Sequence, residues 1–284
     1  MKLSKIFALL LALCLISSVA CAATFTDAHG NVIELDDSLE AYAAVTLVGA
    51  DNAARQGETN LGDLWADALR WFAVSGEINA AFDEDDVKAG NDHIAVDADH
   101  VVALWNGGNL RADIAEGTFG AEALAEVLPF PNKVAVVYMT GAQLLETLEA
   151  ASQGLPYTAE TADACASLMQ VSGLTYTVDT TKAYDALEAY GDHWFTAGSV
   201  SRVRIDDVNG QPFDAEATYA VVTSNANFNG MDSSYVLKAA AEANEQSAVT
   251  TAVVRDVVFR FIAAELNHQV GEAYAAPQGR LTVL

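Results

Sequence analysis

Positive charge is what this chain has least of. Lysine and arginine together number 14 against 39 aspartates and glutamates, a formal net charge of -25 over 284 residues. A surface of that sign lacks the cations that displace phosphate counterions, so a nucleic-acid polymer is excluded as a partner. A small phosphate ester is not excluded, provided that a few of the scarce arginines converge locally. The charge otherwise reports on solubility.

Cysteine is scarce too, at three residues. Cys14 and Cys21 fall in the amino-terminal segment. Cys165 is then left alone, so no intrachain disulfide is expected and it reads as a small core residue. Five histidines, His29, His93, His100, His193 and His268, are scattered singly, whereas metal ligands cluster; no metal site is assigned to this chain. Ser224 and Ser234 lack the Gly-x-Ser-x-Gly elbow of serine hydrolases. Beyond the amino terminus no apolar run is long enough to cross a bilayer. Repeats and low-complexity tracts are lacking as well.

What is present begins with "MKLSKIFALLLALCLISSVACAATF". Two lysines, an apolar run and small residues around Ala20-Cys21-Ala22 have the three-part layout of a secretory signal, read as residues 1–22. An exported protein, periplasmic or extracellular, is expected. Two endings stay open: cleavage after Ala22, or a lipid anchor at Cys21, since Ser18-Val19-Ala20-Cys21 resembles a lipobox. What remains is ample for a hydrophobic core.

Residues 23–54 read as a strand extension, with "TFTDAHGNVIEL" as a strand pair. In "TNLGDLWADALRWF", Leu61, Leu64, Trp65, Ala68, Leu69 and Phe72 share one helical face, and Thr59 or Asn60 can cap it. Residues 83–100 look like an acidic surface connection and 180–198 like an exposed excursion. Strands are expected at "HVVALW", "KVAVVYM", "MQVSGLTYTV", "VSRVRI" and "TYAVVTS". Helices are expected at "AEALAEVLPF", "GAQLLETLEAAS" and "AVTTAVVRDVVFRFIAAEL". The mixture lacks the alternation of a doubly wound sheet and predicts an α+β fold, a layered mixed sheet with packed helices.

The stretch "VVALWNGGNLRADI" carries the first chemical signal. Gly107 and Gly108 follow a buried strand and let backbone N–H groups approach a ligand, Asn106 adds an amide, and Arg111 offers a planar fork of donors. An isolated Asn-Gly-Gly is more often a plain turn. Its company changes that reading: "RQGETNLGDLWADAL" upstream, then "EVLPFPNKVAVVYMTGAQLLETLE", "LMQVSGLTYTVD" and "VSRVRIDDVNGQPFDAEATYAVVTSNANFNGMD" downstream.

In this order, these segments resemble the C-terminal, substrate-recognition domain of the 5'-nucleotidase and UDP-sugar hydrolase family, over roughly residues 45 to 240. The domain is assigned to residues 55–284. The resemblance implies a nucleoside- or nucleotide-binding role in nucleotide catabolism, with the base stacked between two aromatic rings. Carried over by position, it places the binding set on Arg55, Asn106, Arg111, Phe130 and Asp232, to which the loop residues Gly107 and Gly108 read above are added. It also shows departures. Asn109 stands for the third glycine of the loop, Pro131 for a glycine after Phe130, and Met231 for the second glycine of Gly-Gly-Asp. Ala226 stands where the second stacking phenylalanine belongs, and Phe228 shares its face if that segment is extended.

The family's chemistry resides in a metallophosphatase domain preceding this one, and the resemblance does not reach it. Asp27 and His29 have the spacing of one of its motifs, but no Asn-His-Glu or Gly-His-x-His follows. Hydrolysis is therefore expected to need a metallophosphatase partner chain holding the divalent metals, with no cofactor here. Two alternatives stand beside this reading: a hydrolase with a reduced site on Asp27 and His29, and a non-catalytic extracellular module whose pocket has drifted to another ligand.

Overall fold

A computed structural model describes residues 40–284 and two short strands before them. The expected signal, Cys21, Asp27 and His29 lie outside the described residues. The two short strands, β1 (Thr24–Thr26) and β2 (Val32–Glu34), pair antiparallel. They belong to a unit spanning Met1–Glu40, and Ala41–Leu284 forms a second.

The strands that follow are β3 (Glu40–Ala43), β4 (Val101–Asn106), β5 (Gly117–Gly120), β6 (Lys133–Thr140), β7 (Met169–Ser172), β8 (Leu174–Val178), β9 (Ala186–Ala189), β10 (Phe195–Ala197), β11 (Val203–Val208), β12 (Thr218–Ser224), β13 (Ala248–Val253), β14 (Gln269–Val270) and β15 (Leu281–Val283). The helices are α1 (Ala53–Gln56), α2 (Asn60–Val74), α3 (Glu84–Ala89), α4 (Ala121–Val127), α5 (Gly141–Ala151), α6 (Asn225–Phe228), α7 (Tyr235–Ala243) and α8 (Val254–Ala264). The central sheet has the order β13-β6-β12-β4-β7. Within it β4 and β12 run parallel and every other neighbouring pair is antiparallel. The α+β reading is correct.

Both faces of this sheet are covered. Val101, Ala103 and Trp105 of β4 enter one core with Leu61, Leu64, Trp65 and Phe72 of α2 and Val257 and Phe261 of α8. Val102 and Leu104 enter the other with Leu144 and Leu148 of α5 and Leu237 of α7. A strand buried on both faces reads as one continuous apolar run, which is why "VVALW" shows no alternation. Thr59 caps α2, its hydroxyl accepting from the Gly62 amide at 3.0 Å. Each fully buried apolar side chain on α2 contributes about 1.5–3 kcal/mol.

Carboxylates on and before α2 clasp the end of the chain. Arg280 donates from Nη1 and Nη2 to the two oxygens of Asp67, both at 2.8 Å. Glu58 accepts the Arg280 and Leu281 amides at 3.0 Å each, and Asp63 Oδ2 accepts the Gln278 amide at 3.0 Å. Asp63 is fully buried, and its Oδ1 has no hydrogen-bond partner among the described residues.

One reading needs correction, and two gain detail. The long helix expected from 248 begins only at Val254, because β-branched Val249, Thr250, Thr251 and Val253 form β13 beside β6. The acidic connection contains α3, capped by Asp83, whose carboxylate accepts the Asp85 and Asp86 amides. The 180–198 excursion is largely exposed, yet it forms the β9–β10 hairpin and is tied down. Tyr190 donates its hydroxyl to the Gly230 carbonyl at 2.8 Å, and Trp194 Nε1 donates to Ala164 O at 3.3 Å.

Candidate functional site

The parallel pair fixes where a ligand can sit. Asn106 ends β4 and Asn225 follows β12, so the carboxyl ends of two adjacent parallel strands open on one side of the sheet. A crevice at such ends is the usual ligand site of open sheets. A cavity of about 620 Å³ lies there. Among its lining residues are Asn106, Gly108, Arg111, Phe130 and Asp232, drawn from three separated parts of the chain.

Each is held for a local reason. The Arg111 amide donates to Val127 O at 2.9 Å, bringing the glycine loop beside the end of α4 and the Phe130 turn. The Arg111 guanidinium consequently lies over the Phe130 ring, 5.8 Å from its centroid. It has no ion-pair partner among the described residues. Partial burial, and then the Arg55 cation, hold Arg111 below the ordinary arginine value, with Asp232 opposing.

Asp232 sits at the other side of the loop, in a left-handed backbone conformation (φ 56°) that follows Gly230 (φ 86°). Asn106 Nδ2 donates to its Oδ2 at 2.7 Å, and Asn109 Nδ2 donates to Asn106 Oδ1 at 2.8 Å. This short chain fixes which way the Asn106 amide points. Burial raises the Asp232 carboxyl above its ordinary range, while Arg55, the Asn106 hydrogen bond and Arg111 pull it back. Asp232 is thus set between the fields of two cations, Arg55 and Arg111.

The structure does not bring every expected residue into the cavity. Arg55, on α1, stands behind the wall: Nη1 donates to Ala162 O at 2.9 Å and lies 3.8 Å from Asp163 Oδ1. It acts on Arg111 and Asp232 through its field. Gly107 does not line the cavity; a Cβ there would collide with the Ala54 carbonyl, so its lack of a side chain lets α1 press against the loop. At Gly108 a Cβ would crowd Ala166. Phe228 is the clear correction. The segment turns into α6 rather than extending, two helical residues point about 200° apart, and Phe228 packs against the second core while Ala226 lines the cavity.

Sequence reasoning missed the amides. Asn132, Asn225 and Asn229 line the cavity. The Asn132 side chain is nearly buried (8 % exposed) and makes no hydrogen bond within the described residues. The alternating asparagines of "SNANFNGMD" were the signal that could have found them. No three His, Cys, Asp or Glu side chains among the described residues gather to hold a metal ion. No described helix is long and apolar enough to cross a membrane.

Fold and cavity together define an α+β domain with a pocket at the carboxyl ends of its two parallel strands. Residues 40–239 match the family described as 5'-nucleotidase, C-terminal domain, and the chain belongs to it. It is 28 % identical over 188 residues to the trifunctional nucleotide phosphoesterase protein YfkN of Bacillus subtilis, covering 65 % of this chain and 10 % of that protein. Among solved structures it is similar to a 5'-nucleotidase precursor from Thermus thermophilus, with TM-score 0.61, 26 % identity, and coverage of 92 % of this chain and 48 % of that one. It shares its fold with NAD nucleotidase from Haemophilus influenzae, at TM-score 0.57, 14 % identity, 92 % of this chain and 48 % of that one. The chain thus spans about half the length of these solved relatives and a tenth of the curated one.

Proposed function

We propose that this chain is an exported recognition domain that binds a nucleoside or nucleotide for phosphate-ester hydrolysis. Metal-dependent chemistry would be supplied by a metallophosphatase partner holding divalent ions. The observation that carries this reading is the convergence of Arg111, Phe130, Asn106 and Asp232 on one cavity. The Phe130 face stacks a base, a contact worth about 1–3 kcal/mol. Asp232 and Asn106 take ribose hydroxyls, Asn132 reads a base edge, and Arg111 meets an anionic oxygen with Arg55 reinforcing the field. Membership in the family supports it, as does the similarity to a nucleotide phosphoesterase.

Isothermal titration of adenosine and AMP tests it, on wild type and Arg111→Ala. A charge-assisted contact is worth about 1.5–3 kcal/mol, so AMP should bind roughly ten- to a hundredfold more weakly to the variant, and adenosine should lose less. Equal and negligible heats for both ligands on both proteins would overturn the proposal.

A further inference from the structure

The cavity has one aromatic wall, Phe130, and no second ring stands at position 226. The described methionines differ sharply: Met139 is 2 % exposed and Met169 fully buried, whereas Met231 is 58 % exposed and lines the same cavity as Phe130. Its backbone is firmly set. The Met231 amide donates to Ala226 O at 2.9 Å, and the Ser234 amide donates to Met231 O at 3.2 Å. Gly230 ahead of it takes φ 86° with its carbonyl bound by Tyr190, and Asp232 after it takes φ 56°. Glycine and aspartate are both residue types that accept a left-handed backbone, so Gly230 and Asp232 set the turn that projects Met231.

We propose that Met231 is the second wall of a base subsite, its thioether facing the planar base that Phe130 stacks; this rests on the reading given under Proposed function. A methionine thioether is polarizable, unbranched and adaptable, and it contacts aromatic faces favourably. Ala226, whose carbonyl accepts the Met231 amide, lines the cavity too and carries only a methyl group. A soft wall conforms to rings of different size, where a phenyl would set a fixed gap. The subsite therefore takes purines and pyrimidines with little discrimination, and the selectivity of the pocket lies in its sugar and anion contacts.

The exposure pattern gives a chemical test beside the genetic one. Hydrogen peroxide transfers one oxygen atom to a thioether sulfur, which loses two electrons, and leaves as water; it reaches Met231 before the buried Met139 and Met169. Titrate adenosine, cytidine and ribose 5-phosphate against wild type, Met231→Leu, Met231→Ala, and wild type oxidised to one added oxygen at residue 231, verified by peptide mass. Both nucleosides should bind roughly two- to tenfold more weakly to Met231→Ala and to the sulfoxide. Met231→Leu should lie between, adenosine and cytidine should differ little on wild type, and ribose 5-phosphate should be unchanged throughout. Unchanged nucleoside affinity in both the alanine variant and the sulfoxide overturns the role of Met231 while leaving nucleoside recognition in place. Wild type that binds none of the three ligands overturns the recognition reading itself. Should Met231→Ala fold poorly, the oxidised protein decides alone.

Discussion

The buried carboxyl of Asp63 makes a prediction whose size can be worked out. Burial, opposed by Arg280 and reinforced by the neighbouring Glu58, raises it from 3.8 to about 8. Arg280 Nε lies 3.9 Å from Asp63 Oδ1, but its guanidinium is committed in bidentate fashion to Asp67, so the attraction is shared. Between about pH 4 and pH 8 the folded chain thus keeps a proton that the unfolded chain has released. Stability must fall as pH rises through that window, by up to about 1.4 kcal/mol per pH unit from this group. From pH 5 to pH 8 the loss sums to about 4 kcal/mol. Asp63→Asn keeps an acceptor for the Gln278 amide and removes the titration. Urea unfolding of both proteins, followed by tryptophan fluorescence at pH 5, 6, 7 and 8, isolates the effect from the general repulsion of the acidic surface. The variant should gain on wild type steadily with pH, by several kcal/mol overall. A gap between the two proteins that stays constant from pH 5 to 8 would refute the protonated, buried state of Asp63.

Two further outcomes follow from the packing around the cavity. In Asn109→Ala the Asn106 amide is free to turn its oxygen toward Asp232, and losing that buried hydrogen bond, worth about 1–3 kcal/mol, should weaken adenosine binding roughly fivefold or more, as read by calorimetry. Unchanged affinity would mean that Asn106 is oriented without it. In Gly62→Ala the new methyl meets the side chain of Gln170, which accepts the Thr59 amide and donates to Ala54 O and Gly57 O. Three lost bonds of about 0.5–1.5 kcal/mol each outweigh the gain of about 1 kcal/mol in helix propensity. The urea midpoint should therefore drop; a stabilised variant would show that Gln170 moves aside freely.

The sequence was most readable where a single periodicity governed burial. The face and capped start of α2 and the continuous apolar run of β4 stand where spacing and cap chemistry put them. It misled where local preference and tertiary need diverge. "AVTTAVVRDVVFRF" carries a helical stripe throughout, but the open edge of β6 recruits its first residues as a strand. The site was legible as a set of residues and not as an arrangement. Phe228 looked placed for stacking because the two-residue spacing suits a strand, and the Ser224 hydroxyl, accepting from the Asn227 amide, starts a helical turn there instead. Gly107 has the makings of a ligand contact by sequence and serves Ala54 in the fold. Asn109 looked like a defect in a glycine loop, and only the folded arrangement reveals that its amide orients Asn106.

Tyr190 gives the outer hairpin a longer reach than its solvent exposure suggests. One phenol crosses from a surface segment to the backbone of the residue two before Asp232. Remodelling that outlying loop is thus a way to retune ligand preference without editing any residue that meets the ligand, and chimaeras that exchange it should change selectivity while the sheets stay intact.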